Sequence, residues 1–296
     1  MVVNRGVVYT ITSALIFGFT PILTRIAYDG GANGVTMTFL RASLCLPLLF
    51  AVLAYSNISV RVTRRELWSL FLACGMGGAL TTITLYASYA YIPVGMATTL
   101  HFVYPILVSL GCVAFYRDRM TSVTVAALVA GTVGVVLSAD GLAAGNGSAF
   151  GVALALFSGL TFAYYAIAVE KSGLFRMHYL KLTFWFCVFS ALFSGGYGLA
   201  SGSLTLSLTP RAWCYAWIVS FFASIFGITL LQIGIKRVGA TAASILSTFE
   251  PITSVVLGVL ILGERMSPAK LAGCACILVG VVLIAWKTSN HGERRC

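Results

Sequence analysis

Glu250 is the residue of this chain best placed to do chemistry. It falls near the middle of an apolar run, residues 240–262, and stands directly before Pro251. A carboxylate at the centre of a bilayer costs about 2.5 to 3.5 kcal/mol on insertion scales, so a partner, a water-filled cavity or a proton must compensate. That makes Glu250 a candidate proton-coupling site or a partner for a substrate amine. The alternative is a carboxyl satisfied by Ser247 or Thr248 nearby, or by a structural arginine. Arg41 lies about two turns into another apolar run, 35–55. A guanidinium grips a carboxylate bidentately, but this one can instead pair with an acid on another helix or snorkel to the interface. Arg25, nearer a helix end, reads as an interfacial anchor or gate.

Two prolines fall within such runs, Pro105 and Pro251. Each removes the helix hydrogen bond to the carbonyl four residues earlier, those of His101 and Ser247. Broken helices mark binding sites in membrane carriers, and equally they shape packing. His101 lies one turn before Pro105 and shares its face. A histidine can relay a proton near neutral pH, or it can be a hydrogen-bonded structural residue. Tyr86 and Tyr89, three apart on one face, join Tyr165, Trp185 and Gln232 as candidates for lining a cavity.

The elements that must position these residues are membrane helices. The chain has 296 residues, 59% hydrophobic and only 9% charged. A soluble domain carries about 25% charged residues. Ten runs are long and apolar enough to span a bilayer: 7–28, 35–55, 67–90, 93–116, 121–139, 149–169, 179–199, 212–235, 240–262 and 268–286. The expected fold is an all-α integral membrane protein of ten transmembrane helices. The first run follows a basic start but belongs to the repeat described next, so it reads as an uncleaved span.

The chain repeats itself. Tyr104-Pro105-Ile106 followed by Asp118-Arg119-Met120 returns as Glu250-Pro251-Ile252 followed by Glu264-Arg265-Met266, 146 residues later at both ends. Upstream, Trp68 matches Trp213 and Ile83-Thr84-Leu85 matches Ile228-Thr229-Leu230, 145 residues on. The halves are 1–148 and 149–296, the second with a short tail. Five spans per copy is odd, so the second copy starts from the opposite side and the repeats are inverted, an arrangement that supports alternating access in secondary transporters.

Net charge is +11. A nucleic-acid partner would need those cations on one soluble face. Threaded through ten spans they sort by side instead. Fourteen fall on one side, three (Arg211, Arg265, Lys270) on the other, and Arg25 and Arg41 within spans. The positive-inside rule then places both termini in the cytoplasm, with a bacterial inner membrane as the expected location. The eight cysteines form no CxxC pair and no His-linked metal spacing, so neither a disulfide framework nor a metal site is expected. No GxxxxGK[ST] loop is present for direct ATP hydrolysis. A membrane enzyme is disfavoured by short loops and by the lack of paired membrane aspartates or HExxH. No cofactor is expected.

One stretch resembles a known family. Gly-Ala-Thr-Ala-Ala-Ser at 239–244, then Glu250-Pro251, then Leu262-Gly263-Glu264-Arg265-Met266, resembles the closing signature of the drug/metabolite transporter superfamily, EamA-like branch. Tyr91-Ile92-Pro93-Val94-Gly95 with Ala97-Thr98-Thr99-Leu100-His101-Phe102 is similar to its first-copy counterpart. Asp118 departs from Glu264 of the second copy, but both keep an acid followed by arginine. The resemblance implies ten helices, a central cavity and movement of small solutes, often outward. The expected function is therefore a secondary transporter, exporting a small polar metabolite such as an amino acid, with proton coupling as an option. Export of cationic drugs and passive facilitation stand as alternatives. A small-molecule substrate, membrane lipids and protons are the expected partners, in a monomer or homodimer.

Overall fold

The computed structural model describes residues 5–88, 91–92, 94–138, 148–262 and 267–292. Tyr89, Pro93, the Glu264-Arg265-Met266 segment and the Arg25 side chain lie outside that description. The described residues are almost entirely helical. Among them, nine helical stretches are long and apolar enough to cross a membrane, and Ser122–Leu137 is a shorter apolar helix. The ten expected runs coincide with these within a few residues at each end.

The first span is α1 (Arg5–Tyr28). The second is broken into α2 (Gly34–Ser43) and α3 (Leu46–Tyr55). Pro47 takes an early position in α3, where its missing N–H costs nothing, and a turn at Leu44 and Cys45 separates α3 from α2. The third span runs from α4 (Arg64–Leu70) through a π-helical stretch, Phe71–Ala79, into α5 (Leu80–Ser88). Thr63 and Glu66 start it with a reciprocal capping box. The fourth is α6 (Val94–His101) and α7 (Tyr104–Tyr116), and the fifth is α8 (Ser122–Ser138).

The second half runs in parallel. The sixth span is α9 (Ala149–Lys171) and the seventh α10 (Tyr179–Ala200), joined by a 3-10 turn at Gly173–Arg176. The eighth is α11 (Pro210–Val219), a π-helical stretch Ser220–Gly227, and α12 (Ile228–Val238). The ninth is α13 (Ala240–Leu246) and α14 (Phe249–Leu262), and the tenth is α15 (Pro268–Gly292). Third and eighth spans both carry a π segment, and fourth and ninth both break just before their proline. The matching irregularities are the structural form of the sequence repeat.

Small residues set the closest approaches. A Cβ at Gly134 of α8 would sit 2.7 Å from the Gly273 carbonyl of α15, and one at Gly280 the same distance from the Ala127 carbonyl. Helices in lipid associate through such surfaces because apolar side chains gain nothing by leaving lipid. Helical hydroxyls are satisfied by carbonyls one turn back, as in Thr81 to Gly77 (2.8 Å) and Ser109 to Pro105 (2.7 Å). Among the described residues no buried side-chain nitrogen or oxygen lacks a partner, which a dry interior demands.

Candidate functional site

The breaks in the second, fourth and ninth spans bring three side chains to one place. In the ninth span, Ser247 and Thr248 turn between α13 and α14, where the Thr248 N–H reaches back only to Ile245 and the Glu250 N–H to Ser247 (3.0 Å). Glu250 thus opens α14 beside the break. In the fourth span the Val103 N–H reaches back only to Leu100, and Tyr104 opens α7. Tyr104 is buried, and its hydroxyl turns toward Ser247 and the Glu250 carboxylate.

Arg41 stands in the last turn of α2. Its backbone carbonyl accepts from the Ser220 hydroxyl at 2.9 Å, which ties the end of α2 to the π stretch of the eighth span. Its guanidinium lies close enough for its charge to act on Glu250. The two do not form an ion pair: among the described residues the only ion pairs within 4 Å are those of Lys171. The Glu250 carboxylate also has no hydrogen-bond donor among the described residues, and it keeps some accessible surface. An acid and a guanidinium therefore lie within electrostatic reach of each other, with no ion pair between them among the described residues.

Close packing fixes Glu250 from behind. A Cβ at Gly18 of α1 would collide with Thr253 and lie 2.9 Å from the Glu250 carbonyl. The Ser254 hydroxyl donates to the Gly18 carbonyl at 3.1 Å. The absence of a side chain at Gly18 lets α1 lie against the first turn of α14.

The other candidates divide. His101 sits in a ring cluster with Phe102, Tyr104 and Phe162, at centroid distances of 6.0, 5.3 and 5.6 Å, and its Nδ1 is 2.9 Å from the Ser158 hydroxyl. It supports Tyr104 rather than meeting Glu250. Gln232 and Tyr165 belong to a separate buried chain. The Gln232 amide donates to the Tyr165 hydroxyl (2.9 Å), the Thr183 hydroxyl reaches the Gln232 carbonyl (3.0 Å), and Thr183 meets Thr229 (2.8 Å). Trp185 donates its indole N–H to the Val60 carbonyl at 3.1 Å, pinning the segment before α4. Tyr86 lies beside Gly34 and Tyr28 at the far end of α1. None of the seven described cysteines forms a disulfide with another described residue.

Three features escaped the sequence reading. Tyr104 was visible as the counterpart of Glu250 in the repeat, but not as its neighbour. The second-span break had Pro47 as its signal. A polar cluster at the end where α7, α9 and α13 meet had none: Lys171 pairs with Asp118 (2.6 Å) and Glu170 (3.1 Å), and Glu170 accepts from the Ala240 N–H.

A sequence profile of the EamA-like transporter family matches the chain twice, over residues 4–139 and 149–286. The chain belongs to the EamA-like transporter family. It is a multi-pass membrane transporter of a small-molecule substrate, and the two matches coincide with the two sets of spans. It is 24% identical to an uncharacterized transporter of Synechocystis sp. (strain ATCC 27184 / PCC 6803 / Kazusa), over 95% of this chain and 93% of that protein. It is 27% identical to the uncharacterized transporter YvbV of Bacillus subtilis (strain 168), over 81% of this chain and 79% of that one. A solved crystal structure at 17% identity superposes with a TM-score of 0.83, covering 95% of this chain and 98% of the other, so the fold is shared.

Proposed function

We propose that this transporter carries a small zwitterionic metabolite of amino-acid type, with Glu250 taking its ammonium group and Arg41 its carboxylate. The observation that carries this reading is the pair itself: opposed charges in electrostatic reach, not in contact, each beside a helix break. A substrate bearing both charges satisfies both groups at once. A purely cationic drug would meet Arg41 as a repulsive neighbour, which favours the zwitterion.

Halves 1–148 and 149–296 act as inverted repeats that rock about this centre, giving alternating access. The net direction is outward, across a bacterial inner membrane, with both termini in the cytoplasm as the charge bias supports. Glu250 gives up its proton to water when the ammonium binds and takes one from the opposite side once the ammonium has left, which couples export to a pH gradient. No catalysis is required of any residue.

The test is solute counterflow in proteoliposomes. A pool of amino acids, nucleobases and organic cations is offered with and without an imposed pH gradient, to the native protein and to Glu250→Gln. The proposal expects a gradient to drive native flux of an amino acid while the variant retains passive exchange at most. Equal behaviour of the two proteins refutes coupling through Glu250 and leaves a facilitator. Uptake of cations alone points to drug export.

A further inference from the structure

A second polar feature lies far from the central pair. A cleft of about 250 Å³ is lined by Tyr9 of α1, Tyr179 of α10, and Ile233, Lys236 and Arg237 of α12. All five residues sit at one end of the bundle, where α12 finishes, α10 begins and α1 has run little more than a turn. Threading the charges through the ten spans makes this the basic side, and the apolar stretches of α1, α10 and α12 begin or end here.

The cleft is built to hold an anion. The Arg237 guanidinium stacks over the Tyr9 ring at 5.3 Å, which fixes it across the mouth between α12 and α1. Lys236 donates to the Met177 carbonyl, leaving two of its three N–H groups for a ligand. Neither cation has an acidic partner within ion-pair distance among the described residues. His178 directly precedes Tyr179, and burial first, then the Lys236 charge, holds its pKa below the usual histidine range. The negative end of the α12 dipole would attract Lys236 and Arg237, but it does not account for an arginine laid over α1 with an open cleft below it. Ile233 gives the cleft an apolar wall, and Val8 next to Tyr9 is exposed at 47%. A ligand here meets cations and phenols beside an apolar wall.

The geometry points to a binding site for the phosphodiester headgroup of an anionic phospholipid, held by Lys236 and Arg237 with Tyr9 and Tyr179 beside it. Basic pockets between membrane helices at the headgroup level recognise such lipids. Arginine and lysine supply the planar and point-charge donors that phosphate takes.

The probe is palmitoyl-oleoyl phosphatidylglycerol, titrated into detergent-purified full-length protein and read by native mass spectrometry and thermal unfolding, with phosphatidylcholine of the same chains as reference. The native protein is expected to retain the anionic lipid at least tenfold better and to unfold at higher temperature in its presence. Lys236→Gln combined with Arg237→Gln should abolish both effects. Arg64→Gln combined with Arg65→Gln, which removes equal charge from exposed positions at the start of α4, should preserve them. If the double variant fails to fold, Arg237→Gln alone, at an exposed position, carries the test. Retention of the lipid by the cleft variants overturns the site, as does equal loss in the Arg64/Arg65 control. Inorganic phosphate or glycerol phosphate displacing the lipid at millimolar concentration, with the same thermal shift, overturns the lipid assignment in favour of a soluble phosphate.

Discussion

Tyr104 and Glu250 hold the same place in the two sequence repeats, each immediately before its proline, and the fold brings them together: the Tyr104 hydroxyl turns toward Ser247 and the Glu250 carboxylate. The repeat thus supplies an acid from one half and a phenol from the other to a single centre, next to Arg41. Removing the phenol tests whether it belongs to the site. Tyr104→Phe keeps the ring packed against Phe162, at 4.5 Å, and deletes only the hydroxyl. A neutral hydrogen bond contributes about 0.5 to 1.5 kcal/mol, so the expected outcome is a two- to tenfold rise in half-saturation for counterflow, with unfolding temperature nearly unchanged.

Gly18 positions Glu250 by its lack of a side chain. Gly18→Ala should push α14 away from α1, because the new methyl meets Thr253 and the Glu250 carbonyl. Overpacking costs about 1 to 3 kcal/mol. Thermal unfolding in detergent should show the loss, and flux should fall with it. Gly196→Ala serves as control, since nothing lies within 4 Å of a Cβ there.

The buried chain of Tyr165, Gln232, Thr183 and Thr229 is expected to stabilise the bundle without touching substrate. Gln232→Leu leaves the Tyr165 hydroxyl without its partner and Thr183 with Thr229 alone, a loss of about 1 to 3 kcal/mol. Unfolding temperature should drop while substrate affinity of the folded fraction stays the same. A large change in affinity at intact stability would move this chain into the binding site.

In the Lys171 cluster the two acids should differ. Asp118 is 43% exposed, and its pair with Lys171 is worth less than about 1 kcal/mol. Glu170 is 20% exposed, and it also accepts from Ala240 beside Gly239, whose φ of +87° makes the turn into α13. Glu170→Gln should therefore lower the unfolding temperature more than Asp118→Asn.

Much of this architecture is written in the sequence. A run such as 149–169, free of charge until Glu170, has one stable solution in a bilayer, and α9 (Ala149–Lys171) adopts it. The breaks at Pro105 and Pro251 followed from a missing N–H. The π stretches did not, because a slipped hydrogen-bond ladder leaves hydropathy unchanged. At the site, residue type singled out Glu250 and Arg41, since a charge in lipid is costly wherever it points. Type could not separate Gln232, which is satisfied by Tyr165 and Thr183, from a group left for substrate. That difference lies in which helices meet, and no local pattern records it.

The central claim is that Arg41 and Glu250 read opposite ends of one molecule. The most direct measurement is competition in proteoliposome counterflow between the best amino-acid substrate and its decarboxylated amine, for the native protein and for Arg41→Gln. The account predicts that the native protein prefers the amino acid by at least tenfold, and that Arg41→Gln abolishes the preference while still binding the amine. An Arg41→Gln protein that folds and keeps the native preference would contradict it.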